Sequence, residues 1–555
     1  MKHLILLLFL FIAPRLVAQD FVEPLDFDLL IAGNYGELRP NHFHAGLDFK
    51  TQQTIGHPVH AFADGYVERA AINAYGYGLV LYVTHPQLKR MTVYAHLSTF
   101  GDKVWQKVRE RQQQEQLNNA DITFSQDELP VKMGEVIALS GNTGSSGGPH
   151  VHFEVRGLMS APGADDEEWY DPMPYFADKI KDTTAPKISN IYLYNNPNTA
   201  YTSKTQILNR TINAWGRVGF GLKAYDYMDG TTNKYGVKHL RLFCDNKLIY
   251  DWNQEFFVYS EQRYTNSVID YEEYIDRKST IMKTYIEPGN KLRMINSTIG
   301  DGTVLVDEER QYNMCYELED AHGNVTTLNF KVLGVKQETK EHVAKGKIAK
   351  VDESFVIDTL GVKFEIPANN LYCETDVEFS LVEPSGKNLT PVYSIGKATT
   401  PLHSFCTLQI ELPDSIELSD KLYIRNLDGG RYACERIEKV PFPSPKMNVP
   451  AAIKTQVREF GRFTVRQDTI APEVTIVGKP TANNVRIQMT DANSGLKSWK
   501  VFIDGVFVPF DQNNRGIMVG APKNYGIKEG MMHTIEIHAL DLVENEAIIT
   551  LQRRF

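Results

Sequence analysis

The sequence predicts a mainly β protein, in which an antiparallel β-sheet domain with a short helical insertion is followed by β-sandwich modules. Three observations lead there. Side-chain character alternates with period two in short runs, as in the tail of Ala74-Tyr-Gly-Tyr-Gly-Leu-Val-Leu-Tyr-Val83, in Val362-Lys-Phe-Glu-Ile366 and in Asp376-Val-Glu-Phe-Ser-Leu-Val382, and glycine-rich turns recur between such runs. One stretch breaks the pattern: Asp102 to about Asn119 is rich in Lys, Arg, Gln and Glu and sets Val104, Trp105 and Val108 at helical spacing. Lastly, Asp182-Thr-Thr-Ala-Pro186 recurs as Asp468-Thr-Ile-Ala-Pro472, each copy opening a strand-rich segment.

In chain order, Met1-Lys-His precedes the apolar run Leu4 to Ile12, and small residues surround Ala18. That run is too short to span a membrane comfortably, and the pattern reads as a secretory signal over residues 1–19. No later apolar run has transmembrane length, so the exported protein is expected without a membrane helix after cleavage. Residues 20–181 form the sheet domain, with the helix inserted between His96 and the strand Gly134 to Leu139. That helix reads as surface decoration or as a wall of a substrate groove. Residues 182–335 and 468–555 are the two related units, expected as immunoglobulin-like β-sandwiches, the first with a long insertion around 258–307. Near their ends stand Leu318-Glu-Asp320-Ala-His-Gly-Asn324 and Leu540-Asp541-Leu-Val-Glu-Asn545. These read as turn chemistry in preference to calcium ligation, because the spacing does not repeat as a metal loop should. Residues 345–466 form a further β-sandwich with no motif of chemistry. A chain cut at about Thr183 is expected to fold alone, since a domain with its own core can.

Composition narrows the function. A chain of 555 residues with 42% apolar content holds several core-forming domains. The net charge of -10 argues against nucleic-acid binding driven by phosphate contacts and against electrostatic adhesion to an anionic wall. Cys244, Cys315, Cys373, Cys406 and Cys434 lack zinc-type spacing, and their odd number leaves at least one thiol free.

The residues that carry chemistry lie in three segments. In Ser140-Gly-Asn-Thr-Gly-Ser-Ser-Gly-Gly-Pro-His150-Val-His152-Phe-Glu-Val-Arg156 a glycine-rich turn runs into a strand, so His150, His152, Glu154 and Arg156 share one face and Val151, Phe153 and Val155 the other. Two imidazoles so placed can meet one metal, or one can bind metal while the other moves a proton. In Asn41-His-Phe-His44-Ala-Gly-Leu-Asp48, His44 and Asp48 offer a nitrogen and a carboxylate oxygen, which suit zinc. With His152 they make three protein ligands and leave the fourth position open, the mark of a catalytic site. In Met91-Thr-Val-Tyr94-Ala-His96-Leu97, alternation puts Thr92, Tyr94 and His96 on one strand face and Val93, Ala95 and Leu97 on the other.

These three motifs, His-x-x-x-Asp, Tyr-Ala-His-Leu and Gly-Asn-Thr-Gly with Pro-His-x-His-Phe-Glu, resemble in order those of the lysostaphin-type, or LytM-type, zinc metalloendopeptidases. That family cuts peptide cross-links in bacterial cell walls. The resemblance covers roughly the first third of the mature chain. It implies an antiparallel β-sheet metallopeptidase domain, one Zn2+ per chain on His44, Asp48 and His152, and His96 and His150 as unligated catalytic histidines. It further implies peptidoglycan peptides as substrate and the cell envelope or exterior as location, while the C-terminal sandwiches offer room for a protein partner. Of the other histidines, His42 is placed at the site rim, and His57, His60 and His85 are read as surface or turn residues. Two rival readings remain: a non-catalytic family member that binds or activates another wall hydrolase, and a surface adhesin.

Overall fold

A computed structural model describes residues 21–158, 166–337, 343–438, 450–513 and 516–555, and among them the protein is mainly β. The expected signal sequence lies outside the described residues. No helix among them is long and apolar enough to cross a membrane.

The N-terminal unit is organised by a nine-stranded antiparallel sheet. Strands Gly65–Ile72, Leu79–His85, Arg90–Leu97, His150–Gly157 and Glu168–Tyr170 lie side by side in that order, and Leu47–Lys50 also pairs with His150–Gly157. The alternation in the His150–Gly157 strand decides what each face does. Val151, Phe153 and Val155 are fully buried in the main core, where Phe153 packs against Phe49, Phe62 and Phe176. The opposite face carries His150, His152, Glu154 and Arg156.

The expected helix spans Asp102–Glu115, a turn shorter than the charged stretch that predicts it. Val104, Val108 and Gln112 face inward at spacings of four, and Asp102 sits in the first turn, where a carboxylate favours the helix dipole. Gln116 ends it in the left-handed conformation at φ 51°.

Residues 187–334 form two five-stranded sheets, in which Thr211–Ala214 and Val325–Gly334 run parallel. The expected insertion is present as short helical turns at Tyr259–Tyr264, Thr265–Val268 and Tyr271–Arg277. The units that follow, 347–467 and 473–554, each pair two larger sheets around a core of their own. The five cysteines are all free.

The boundary near residue 182 is not a boundary of packing. Strand Phe256–Val258, contributed by the second unit, hydrogen-bonds to Glu168–Tyr170 and so completes the enzyme sheet. Phe257 is fully buried against Tyr35, Phe43 and Trp169, and one apolar core runs from Leu25 through Val332. Polar contacts follow the same seam: Tyr235 donates to the Ile31 carbonyl, Gln254 to that of Gly36, and Asn41 and Asn266 pair. Losing one buried aromatic ring costs about 3–5 kcal/mol, and a cut at Thr183 removes Phe257 together with the strand that carries it. A chain ending there is therefore expected to be unstable, the reverse of what the sequence pattern suggests.

Candidate metal centre

Four histidines and an aspartate meet where the Leu47–Lys50 and His150–Gly157 strands pair. The register sets His152 opposite Asp48, and the close approach is permitted by Gly46, where a Cβ would lie 2.1 Å from the Phe153 carbonyl oxygen. His44 Nε2, His152 Nδ1 and Asp48 Oδ1 stand 2.8–3.0 Å from one another, all three residues buried. His150 Nε2 lies 3.5 Å from the same Asp48 oxygen.

The outer hydrogen bonds decide what these atoms present. His44 Nδ1 is 2.6 Å from the Asn34 carbonyl, and His152 Nε2 is 2.7 Å from Glu154 Oε1. Both partners only accept, so those nitrogens carry the hydrogens and the inward nitrogens hold lone pairs. Two imidazole lone pairs and a carboxylate oxygen thus converge without a donor among them. Such a donor set fits a divalent cation of the zinc kind, and these three residues could hold one metal ion.

The electrostatics agree. Asp48 is buried, yet His44, His150 and His152 hold its carboxyl well below the usual carboxylate range. Burial works against a charge on His152, but its bonds to Asp48 and Glu154 outweigh this and raise it to about 9. The carboxylates around the cluster thus favour positive charge at its centre, the charge a bound cation brings. Behind His152 a buried chain continues. Burial opposes a charge on Glu154, but Arg156 and His152 hold its pKa at about 2. Arg156 Nε bonds Glu154 Oε2 at 2.6 Å, Tyr77 donates to Oε1 at 2.5 Å, and Arg156 Nη1 reaches Glu167 at 2.6 Å. The sequence places Glu154 and Arg156 on the correct face without giving them this orienting role, which alternation alone could have suggested. The carbonyls of Asn34, Thr143 and Gly148 leave no such signal.

His96 reaches the site by a route that corrects the sequence reading. Phe153 lies opposite Tyr94 and His152 opposite Ala95, so Thr92 and Tyr94 belong to the core face, and plain alternation would bury His96 there too. The pairing with Leu79–His85 slips between Leu79 and Leu81, and His96 takes φ 59°. This bulge turns Leu97 into the core and His96 to the metal face, its ring 4.6 Å from that of His150. His96 Nδ1 lies 2.8 Å from the Thr143 carbonyl and His150 Nδ1 2.8 Å from that of Gly148, so each presents Nε2. Burial, with His152 and His150 nearby, lowers His96 to about 3 and keeps its ring neutral.

His42 is exposed at the rim, with Nδ1 3.1 Å from the Pro40 carbonyl. His57 bonds Thr54, and His60 lies 2.9 Å from Asp26. His85 departs from its expected surface position: it is fully buried, joined through Thr92 to the Tyr94 hydroxyl. A groove of about 820 Å³ beside Asp48 and His150 is lined by Lys50, Gln52 and Pro149, and by Asn233 of the second unit. The inserted helix does not line it. Instead its C-terminal end and the turn after it dock the last unit: Gln113 donates to the Phe507 carbonyl, Asn118 to that of Trp499, and Lys500 to Gln116.

Comparison with known proteins agrees with this geometry. The model of Peptidase family M23 matches residues 42–114, a span that includes His44, Asp48 and His96. An uncharacterized metalloprotease of Haemophilus influenzae is 40% identical over 121 residues, 22% of this chain and 19% of that protein. The DD-carboxypeptidase/endopeptidase Mpg of Neisseria meningitidis is 35% identical over 113 residues, 20% of each. The glycyl-glycine endopeptidase ALE-1 of Staphylococcus capitis is 28% identical over 177 residues, 30% of this chain and 41% of that one. Among solved structures, the lysostaphin catalytic domain of Staphylococcus simulans aligns at 25% identity over 26% of this chain and 89% of its own, with a TM-score of 0.19. Over residues 42–114 the chain is thus similar to the M23 peptidases. The chain spans about a fifth of the length of the first two relatives. Residues 346–468, where the sequence reading finds no motif of chemistry, match the model of a Zu5-like domain.

Proposed function

We propose that the protein is an exported zinc metalloendopeptidase that hydrolyses stem peptides or cross-links of bacterial peptidoglycan. The observation that carries this is the donor-free convergence of His44, Asp48 and His152, with two further imidazoles facing the same space. The endopeptidase names of its relatives support the reaction class. His44, Asp48 and His152 would hold the zinc, which when bound supplies Lewis acidity to water and to the scissile carbonyl.

The remaining steps fall to the chain's own groups. His96 and His150 each have Nδ1 fixed on a carbonyl, so neither ring can turn away. The Nε2 lone pair of one accepts the proton of the attacking water. That Nε2, now protonated, then passes the same proton to the leaving amine, while the other imidazole lies against the developing oxyanion. Glu154, fixed by Arg156 and Tyr77, keeps the His152 hydrogen on Nε2 and so keeps Nδ1 available. The units at 182–335 and 468–555 serve in this reading as immunoglobulin-like platforms, the first of them bracing the enzyme sheet.

The test is mass spectrometry of muropeptides after incubating intact sacculi with the full chain. New amino and carboxyl ends at one peptide bond are expected, and release without any new peptide end would overturn the reading.

A further inference from the structure

A second set of metal-type ligands lies where the chain leaves the enzyme sheet. Asp182, Asp320 and His322 bring carboxylate and imidazole atoms within 4.8 Å of one another. Two details distinguish them from an ordinary acidic turn. The Asp182 side chain is completely buried, its Oδ1 accepts from the Thr184 N–H, and its Oδ2 has no hydrogen-bond partner among the described residues. Facing that oxygen at 3.8 Å, too far for a hydrogen bond, is His322 Nδ1, which is also unpartnered. His322 Nε2 is 2.8 Å from the Ile180 carbonyl, so it carries the hydrogen and Nδ1 offers a lone pair. A carboxylate oxygen and an imidazole lone pair therefore point at one another with no proton donor between them. Next to them Asp226 is buried and has its own Oδ1 unpartnered, and the charges acting on it are those of Asp320 and Asp182, both negative.

The related unit shows the same corner completed without a ligand. Asp468 stands where Asp182 does, one Asp-Thr-x-Ala-Pro opening matching the other. Its Oδ1 takes the Ile470 N–H, as that of Asp182 takes Thr184, but its Oδ2 also accepts the Ser494 N–H at 3.0 Å. In the first unit no backbone N–H among the described residues takes that place.

We propose that Asp182 Oδ2 and His322 Nδ1 bind one divalent cation, with Asp226 as a neighbouring carboxylate. Asp320, whose oxygens already accept from the His322 and Asn324 N–H groups and the Asn324 amide, contributes its charge and holds the turn that carries His322. The mixed oxygen and nitrogen set suits zinc or manganese better than calcium, which takes six to eight oxygens. Its role is structural: it ties the segment leaving the enzyme sheet to the 320–324 turn, where Asn324 already donates to the Asp182 carbonyl. This site is independent of the peptidase reading.

The test uses full-length protein stripped of metal, carrying Asp48→Ala to disable the first centre, and titrated with Mn2+. About one bound ion per chain is expected, with a rise in Tm on the order of a few degrees. Adding Asp182→Asn or His322→Gln should abolish both. Asp182→Asn keeps the acceptor for Thr184, and near-UV circular dichroism checks that it folds. No ion bound to the Asp48→Ala protein, binding undiminished in both double variants, or binding of Ca2+ in place of Mn2+ would each overturn the proposal. Wild-type chain that binds one ion while Asp48→Ala binds none would refute the second site and leave the first intact.

Discussion

His44, Asp48 and His152 in the enzyme sheet and Asp468, Asp491 and Asp541 in the last unit are alike in closeness, each a set of metal-type ligand atoms within 4.8 Å of one another. They differ in where the surrounding hydrogens point. In the last unit each carboxylate accepts backbone N–H groups: Asp468 from Ile470 and Ser494, Asp491 from Asn493 and Gly495, and Asp541 from Val543 and Asn545. Those N–H groups supply the positive charge a cation would bring. In the enzyme sheet the hydrogens of His44 and His152 point outward, and the inner atoms are left with lone pairs alone. Proximity of ligand-type residues therefore does not make a metal site; the direction of the outer hydrogen bonds does.

The strongest way to break this comparison is Asp48→Ala. Loss of most bound metal and of activity by on the order of 1000-fold is expected, equivalent to about 4 kcal/mol of lost transition-state stabilisation. Elemental analysis alongside hydrolysis of a cross-bridge peptide checks it, and full occupancy in the variant would sink the assignment. His96→Ala and His150→Ala should keep the metal and lose on the order of 100-fold in rate, because they face the site without joining the convergent set. Near-normal turnover in either would show that its imidazole is not needed. A smaller effect follows from Glu154→Gln, whose amide has a similar shape but can donate to His152 Nε2 and so favour the wrong tautomer. A drop in metal affinity of about 10–100-fold is expected in a chelator competition. Asp468→Asn should leave metal content untouched and destabilise the last unit by about 1–3 kcal/mol, since the Ser494 N–H loses its acceptor. Denaturant titration followed at Trp499 measures this, and a loss of bound metal would erase the contrast.

Much of the candidate site was legible because strand alternation ties sequence number to face. His150, His152, Glu154 and Arg156 needed only their spacing, and the helix at 102–115 only its apolar period. The face of His96 was misread because a bulge at a non-glycine residue leaves no trace in composition. His85 was misread because a buried imidazole satisfied by Asp64 and Thr92 looks, in sequence, like any other. The carbonyls that fix the tautomers were beyond reach, since every residue has one. The seam between enzyme sheet and second unit was hidden for another reason: Phe257 fits a local strand pattern equally well whichever sheet it joins.

The chain also closes on itself. The enzyme sheet is fused to the second unit, and that unit's insertion meets the third through Arg263, Tyr264, Tyr372 and His403. Lys421 and Arg431 of the third unit donate to carbonyls of the last, which returns to the inserted helix at Gln113. Gln113 and Phe507 are 394 residues apart, so during synthesis the helix emerges long before its partner exists. Domains form from the N-terminus onward. The helix must therefore wait through two further units with its docking surface bare, and the frame locks only when the final strands arrive. Assembly of this protein thus has a direction and a last step, and a chain interrupted anywhere before residue 507 would remain an open arc.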